Sequence, residues 1–350
     1  MRLISAKGDG EPICLALASI VYGQCGFGTS DATMNGAEGA YIATKGSEQV
    51  YAGSDYYRAI QSALESIESG QRVTVFASGS IGESSINIDS GKIFEGCGTI
   101  DVRYWPAHGA IESLGTTNVQ IPYLSLTGNP YFGLWFYGVT SLALGEINMA
   151  LSNGLGIRFE RDEAANRNVS MGTITVTGAG SHAVETWNID GLTIGSVIAR
   201  DVGEGGLLLQ TTTNAQVGLV DGDNVATGIG YVTFRMVNNN GQLADGSYTP
   251  NVWFRVVAGV ASSASGGAVI SEVDLADNEN NAILIENCYG VEISSGAVKG
   301  GSEVHISARD EFENMRDVSI TLTVNSNTVR ESPCGENISW TISGDATQKI

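Results

Sequence analysis

The chain of 350 residues is poor in proline, in charge and above all in basic residues. It has only 6 prolines, and charged residues make up 16% of it, against about a quarter in average soluble proteins. The 18 Lys and Arg form no basic run and face 38 acidic residues, which gives a formal net charge of -20. Because a nucleic-acid binder needs a basic surface, we expect no nucleic-acid partner.

Long hydrophobic runs are also scarce. The clearest one spans residues 13–22, after Arg2 and Lys7, and it has the length of a signal-peptide core rather than of a membrane span. The sequence therefore predicts a signal peptide over residues 1–24 and a secreted, extracellular protein with no membrane partner. Two sequons, which begin at Asn168 and Asn337, would make it a glycoprotein in a eukaryotic host.

Cysteines are few, and their spacing matches no metal motif, so we expect no metal; calcium is not indicated. If Cys14 leaves with the signal peptide, four cysteines remain, an even set that is compatible with two disulfides. Nearness in sequence favours Cys25 with Cys97 and Cys288 with Cys334, although three pairings are possible.

Glycine is abundant, with 46 residues, and a short alternating apolar motif with a small central residue recurs through the chain. Such a unit cannot bury its apolar face alone, so we expect the units to stack as coils of a β-solenoid. The central residues of the motif are Gly145, Gly172, Gly195, Gly218, Ser271, Ser294 and Thr321. The interval between Gly218 and Ser271 is interpreted as about two coils, with a strand at 252–257 and a loop at 238–249.

A second alternating segment precedes each motif. Its first and third positions are almost always apolar, so they should point inward, while the second and fourth face solvent. A slip of one residue would bury several unpaired charges, which supports the chosen alignment. The segments begin at Leu134, Ile157, Val184, Leu207, Val232, Ile283 and Val304.

Asp55 precedes a predicted amphipathic helix over about 55–68 that would cover the first coil. Its pattern Asp55-x-x-x-Ala59-Ile60-Gln61-x-Ala63-Leu64 and the coils after it resemble the pectin lyase-like superfamily, over roughly residues 55–345. The resemblance implies an all-β, right-handed parallel β-helix, here a single domain over 25–350. It also implies a polysaccharide lyase or a polygalacturonase-like hydrolase. We expect a monomer.

The outward positions would form one strip that combines aromatic, acidic and basic side chains. Aromatic faces stack on sugar rings, and charged groups orient hydroxyls or carboxylates, so we interpret the strip as a groove for a polysaccharide. Polar outward residues on a sheet can equally be structural ion pairs. The candidate substrate-binding residues are Trp135, Tyr137, Arg158, Trp187, Gln210, Glu286 and His305.

Two chemistries would suit the strip. Glycoside hydrolysis needs paired carboxyl groups, whereas elimination from a uronate needs a base and a cation beside the substrate carboxylate. The polygalacturonase motifs and the calcium-binding aspartates of pectate lyases are absent. These absences do not decide the catalytic class. We favour a uronate lyase because the strip offers arginines, a histidine and a tyrosine beside its glutamates, with a hydrolase or a non-catalytic glycan-binding or adhesion protein as alternatives. The candidate catalytic residues are Glu160, Glu185, Arg235, His182 and Tyr231.

Overall fold

The structure, a computed structural model, describes residues 25–227, 232–237, 268–278, 281–300, 302–310 and 314–350. It contains one helix, α1 Tyr56–Ser66, and no helix within these ranges is long and apolar enough to cross a membrane. The strands are β1 Ala32–Ala37, β2 Ala40–Lys45, β3 Glu48–Gly53, β4 Arg72–Val75, β5 Gly79–Gly82, β6 Ile86–Asn87, β7 Ile93–Val102, β8 Gly109–Leu114, β9 Gln120–Gly128, β10 Phe132–Tyr137, β11 Thr140–Leu151, β12 Leu155–Phe159, β13 Asn166–Thr177, β14 Val184–Trp187, β15 Ile189–Val202, β16 Leu207–Gln210, β17 Thr213–Val225, β18 Val232–Val237, β19 Ala268–Ala276, β20 Asn281–Glu286, β21 Tyr289–Ile293, β22 Gly296–Lys299, β23 Glu303–Ser307, β24 Arg316–Asn325, β25 Thr328–Ser332, β26 Glu336–Gly344 and β27 Thr347–Lys349.

The strands stack into two long sheets that run the length of a parallel β-solenoid. Sheet A has 16 strands and contains the long strands β7, β9, β11, β13, β15, β17 and β19, while sheet B has 11 strands. From β6 to β19, each coil contributes one sheet-B strand followed by one sheet-A strand, and successive coils pair in parallel. The predicted parallel solenoid is confirmed; its right-handed winding stays a prediction.

The small central residues of the repeat are explained by backbone contact between coils. A Cβ on Gly218 would meet the carbonyl oxygen of Gly195, and a Cβ on Gly195 would lie 2.6 Å from the carbonyl oxygen of Gly172. A side chain here would push neighbouring coils apart. The register of β11, β13, β15 and β17 stacks residues 145, 172, 195 and 218, as the spacing predicts.

The core lies between the sheets, and α1 covers its first coil. The Asp55 side chain accepts a hydrogen bond from the Arg58 N–H and caps the helix, which buries Ile60 and Leu64. The predicted capping helix is confirmed. The sequence did not reveal that β1, β2 and β3 extend sheet A beyond β4 as an antiparallel ribbon.

The interval between Gly218 and Ser271 holds one coil and not about two, because β17 pairs directly with β19. Strand β18 supplies the sheet-B strand of this coil. A long insertion costs little, because the entropy of loop closure rises slowly with length. The predicted strand at 252–257 and loop at 238–249 lie outside the described residues.

Strand β18 also pairs two residues away from its predicted register. Phe234, and not Val232, pairs with Leu207, so Arg235 lies beside Leu208 instead of Gln210. Val232 and Phe234 are both apolar and fully buried, so the alternation could not distinguish the two registers. A shift of two residues keeps Arg235 on the outer face.

The predicted Cys25–Cys97 disulfide is confirmed, with its Cα atoms 5.5 Å apart. The second predicted pair is wrong, because neither Cys288 nor Cys334 forms a disulfide. The pairing of β21 with β24 and of β24 with β26 places Cys334 about two coils from Cys288. That separation is about 10 Å at the usual strand spacing, beyond the roughly 7 Å that a disulfide tolerates.

Candidate functional site

The outer face of sheet B carries two files of side chains across successive coils. It brings together all of the predicted site residues except His182, which is buried before the start of β14, and Tyr231, which lies outside the described residues. The first file runs Glu112, Trp135, Arg158, Glu185, Leu208, Arg235, Leu284, His305 and Arg330. The second runs Leu114, Tyr137, Glu160, Trp187, Gln210, Glu286 and Ser307.

Arg158 binds two of the predicted catalytic carboxylates at once. Its guanidinium lies 2.8 Å from Glu160 Oε1 and 2.5 Å from Glu185 Oε2, and the three side chains are 10 to 18% exposed. Burial alone would raise the pKa of Glu160, but the hydrogen bonds and charge of Arg158 outweigh it and lower that pKa. Glu160 is therefore held as an anion against Arg158, and Glu185 contacts the same guanidinium.

Two tryptophans are fixed to the same carboxylates. Trp187 Nε1 donates to Glu185 Oε1 at 2.7 Å, and Trp135 Nε1 donates to Glu160 Oε2 at 3.3 Å. The Arg158 guanidinium carbon also lies 5.9 Å from the Trp187 ring centroid, within range of a cation–π contact. The arginine thus holds the aromatic and acidic side chains in one network.

An aromatic patch continues the face toward the N-terminal coils. Ring centroids lie 5.8 Å apart between Phe132 and Trp135, and 5.6 Å apart between Trp135 and Tyr137. Tyr131 contacts Phe132, with ring centroids 4.5 Å apart. Sequence analysis missed Tyr131 and Phe132, together with Tyr104, Trp105 and His108, because most of them lie in turns outside the repeat. The density of aromatic residues in those turns was the available signal.

The C-terminal half of the face holds a second set of ion pairs. Glu286 accepts from Arg309 at 3.0 Å and lies 3.4 Å from Arg235. His305 Nδ1 lies 3.2 Å from Arg330, which can only donate, so this nitrogen is the acceptor. Burial and the Arg330 charge lower the pKa of His305, and its ring is therefore neutral at neutral pH.

His182 is also buried, at 6% exposure, and lies between neighbouring coils. Its Nδ1 accepts from the Gly205 N–H at 2.9 Å and lies 3.1 Å from Glu204 Oε2. Burial lowers the pKa of His182, although Glu185 and Glu204 act in the opposite direction. With one nitrogen occupied by the backbone, this histidine is held as a neutral structural side chain.

No protein-family model matches the chain, and no curated protein or solved structure matches it. The one cluster of possible metal ligands among the described residues is Cys25, Glu95 and Cys97. Because its two sulfurs form the disulfide, it offers no thiolate to a metal.

Proposed function

We propose that the outer face of sheet B binds a polysaccharide that lies across successive coils. The observation that carries the proposal is the aromatic patch, which joins the Arg158 network without a break. A row of aromatic rings on one exposed face is typical of a binding surface. The arginines and glutamates beside it supply donors and acceptors for sugar hydroxyls and carboxylates.

Among the activities that fit such a face, we place elimination from a uronate ahead of hydrolysis. A glycosidase needs a carboxylic acid that keeps its proton near neutral pH, which requires a raised pKa. The pKa of Glu160 is lowered instead, and Glu185 is bound to the same arginine. These contacts weigh against Glu160 as the proton donor.

A non-catalytic glycan-binding protein is the second candidate function. The ion pairs of Arg158 with Glu160 and of Arg235 with Glu286 favour it, because charges engaged with each other are less available for chemistry. We also propose membership of the pectin lyase-like superfamily, with secretion and glycosylation. The exposed positions of Asn168 and Asn337 and the single disulfide among the described cysteines support the latter two.

Binding is tested with purified protein and a panel of neutral and uronate-containing polysaccharides, by titration calorimetry. We expect Tyr137→Ala, on sheet B, to weaken binding at least about tenfold, equivalent to about 1.4 kcal/mol. The matched control is Tyr123→Ala, a partly exposed tyrosine on the outer face of sheet A. Equal affinity of the two variants, or no binding by the wild-type protein, would overturn the proposal.

A further inference from the structure

The chain has three histidines, and each lies beside a glutamate. Nδ1 of His108 is 3.1 Å from Glu112, that of His182 is 3.1 Å from Glu204, and that of His305 is 3.9 Å from Glu303. The side chains of His182 and His305 are only 7 and 12% exposed, and both rings accept a hydrogen bond at Nδ1. The His108 side chain is 39% exposed, so it alone of the three is open to a large substrate.

The carboxylate of Glu112 fixes the orientation of His108. Glu112 is 5% exposed, and its Oε1 accepts from the Gly109 N–H at 2.9 Å and from the Ser85 hydroxyl at 3.1 Å. A carboxylate oxygen held in this way accepts a hydrogen bond from the Nδ1–H of His108, which leaves the lone pair on Nε2. The imidazole also stacks on Trp105, with ring centroids 3.8 Å apart.

The ring borders a narrow surface hollow with no room to enclose a ligand, so a substrate would lie across its rim. Arg103, Trp105, His108, Tyr131 and Phe132 line it together. Arg103 is exposed and makes no ion pair with any described residue, unlike the arginines in the centre of sheet B. Its guanidinium is therefore available to a carboxylate from outside the protein.

We propose that the rim of this hollow is the catalytic site of a uronate lyase, with His108 as the base and Arg103 as the group that binds the substrate carboxylate. The inference rests on the proposed polysaccharide-binding function, and it names the substrate class as uronate-containing chains. His108 is 6.4 Å from Trp135 between ring centroids, so the hollow continues the aromatic patch.

The reaction needs no co-reactant besides water. His108 Nε2 removes the proton from the carbon next to the carboxylate, and the electron pair of that C–H bond forms a carbon–carbon double bond. The adjacent C–O bond to the neighbouring sugar breaks, and the departing oxygen takes a proton from water. The imidazolium then returns its proton to the solvent. Arg103 neutralises the carboxylate, which makes the neighbouring proton easier to remove.

The test follows the ultraviolet absorbance of unsaturated chain ends during incubation with polygalacturonate, alginate or a glucuronate-containing glycan, with binding measured separately. We expect His108→Asn to lower kcat/KM at least about 100-fold while affinity for the polysaccharide is retained. Arg103→Ala should lower the rate on the uronate substrate. Its matched control, Arg167→Ala, removes an exposed arginine at the start of β13 and should leave the rate unchanged.

The outcomes separate the two proposals. Wild-type protein that binds a polysaccharide but releases no unsaturated product overturns this site and leaves the binding function standing. Undiminished cleavage by His108→Asn places the base elsewhere and also overturns the site, although a lyase remains. Failure of the wild-type protein to bind any polysaccharide overturns both.

Discussion

Sheets A and B share one inward pattern but differ in what they show to solvent. Both bury alternating apolar side chains, such as Ile174 in sheet A and Phe159 in sheet B. Outward, sheet A presents mainly small polar groups in its central coils, whereas sheet B presents aromatic rings, arginines and glutamates. Stacking therefore depends on the inner faces, and the outer faces are free to differ in chemistry. The aligned outward residues of sheet A include Ser125, Asn148 and Thr175 in one row and Ser170, Thr193 and Gln216 in another.

The ion pairs of the two faces differ in burial as well. On sheet A, Arg200 pairs with Asp221 at 2.7 Å, and the side chains are 34 and 27% exposed. On sheet B, Arg158 and its two partners are 10 to 18% exposed. The same type of contact should therefore matter more on sheet B, since water screens it less.

The largest effect should come from the shared inner pattern. We expect Phe159→Ala to lower the free energy of unfolding by about 3–5 kcal/mol and Ile174→Ala by about 2–5 kcal/mol, because each leaves a cavity. Chemical denaturation followed by circular dichroism measures both. A loss below about 1 kcal/mol in either variant would show that the inner face of that sheet does not hold the stack together.

Removal of Arg158 from sheet B and of Arg200 from sheet A should show how differently the ion pairs of the two faces contribute to stability. Arg158→Ala leaves two buried carboxylates without their cation, and we expect a loss of about 3 kcal/mol or more. Arg200→Ala breaks a more exposed pair and should cost about 0–1 kcal/mol. The denaturation midpoints of the two variants measure these losses of stability. Equal losses would contradict the claim that ion pairs contribute more on sheet B than on sheet A.

Acid should weaken sheet B in two steps. The pKa of His182 is lowered in the folded protein. Its contribution to the free energy of unfolding is therefore complete above about pH 6.5 and is lost as the pH falls below that value. The pKa of Glu160 is also lowered, so its contribution is lost further down, below about pH 4.3. Denaturation at a series of pH values measures this, and His182→Gln should reduce the first step, to which His305 also contributes. Wild-type protein that gains stability on acidification contradicts the prediction.

The smallest effect should be on the outer face of sheet A. Thr173 is exposed, and Thr173→Ala removes only a long hydroxyl contact with Ser196. We expect a change within about 0.5 kcal/mol in stability and none in polysaccharide affinity. A marked loss of affinity in this variant would move the binding surface to sheet A.

The fold was predictable from sequence because the inward residues repeat. Residues such as Ile157 and Val184 mark the inner face by alternation, and the spacing of the small central residues marks the coil. The register of β18 was not predictable, since Val232 and Phe234 satisfy the same pattern. Pairing of Cys288 depended on how many coils separate it from Cys334, which sequence distance does not reveal.

The candidate site was predictable only where it lies on the repeat. Trp135, Arg158 and Glu185 occupy outward strand positions, so the alignment found them. His108 and Arg103 lie in a turn whose length and path do not follow the repeat. Their closeness to the aromatic patch depends on how that turn folds against the next coil, and alternation carries no information about that.

The connection between β18 and β19 has a practical consequence for engineering. In the preceding coil, residues 211–214 join the position of Val237 to that of Ala268, as the pairings of both sheets show. Residues 238–267 span the same gap, so the flanking strands already sit at the separation that a short turn bridges. This junction is therefore an exchangeable cassette, where foreign segments can be grafted while the neighbouring coils keep their pairing.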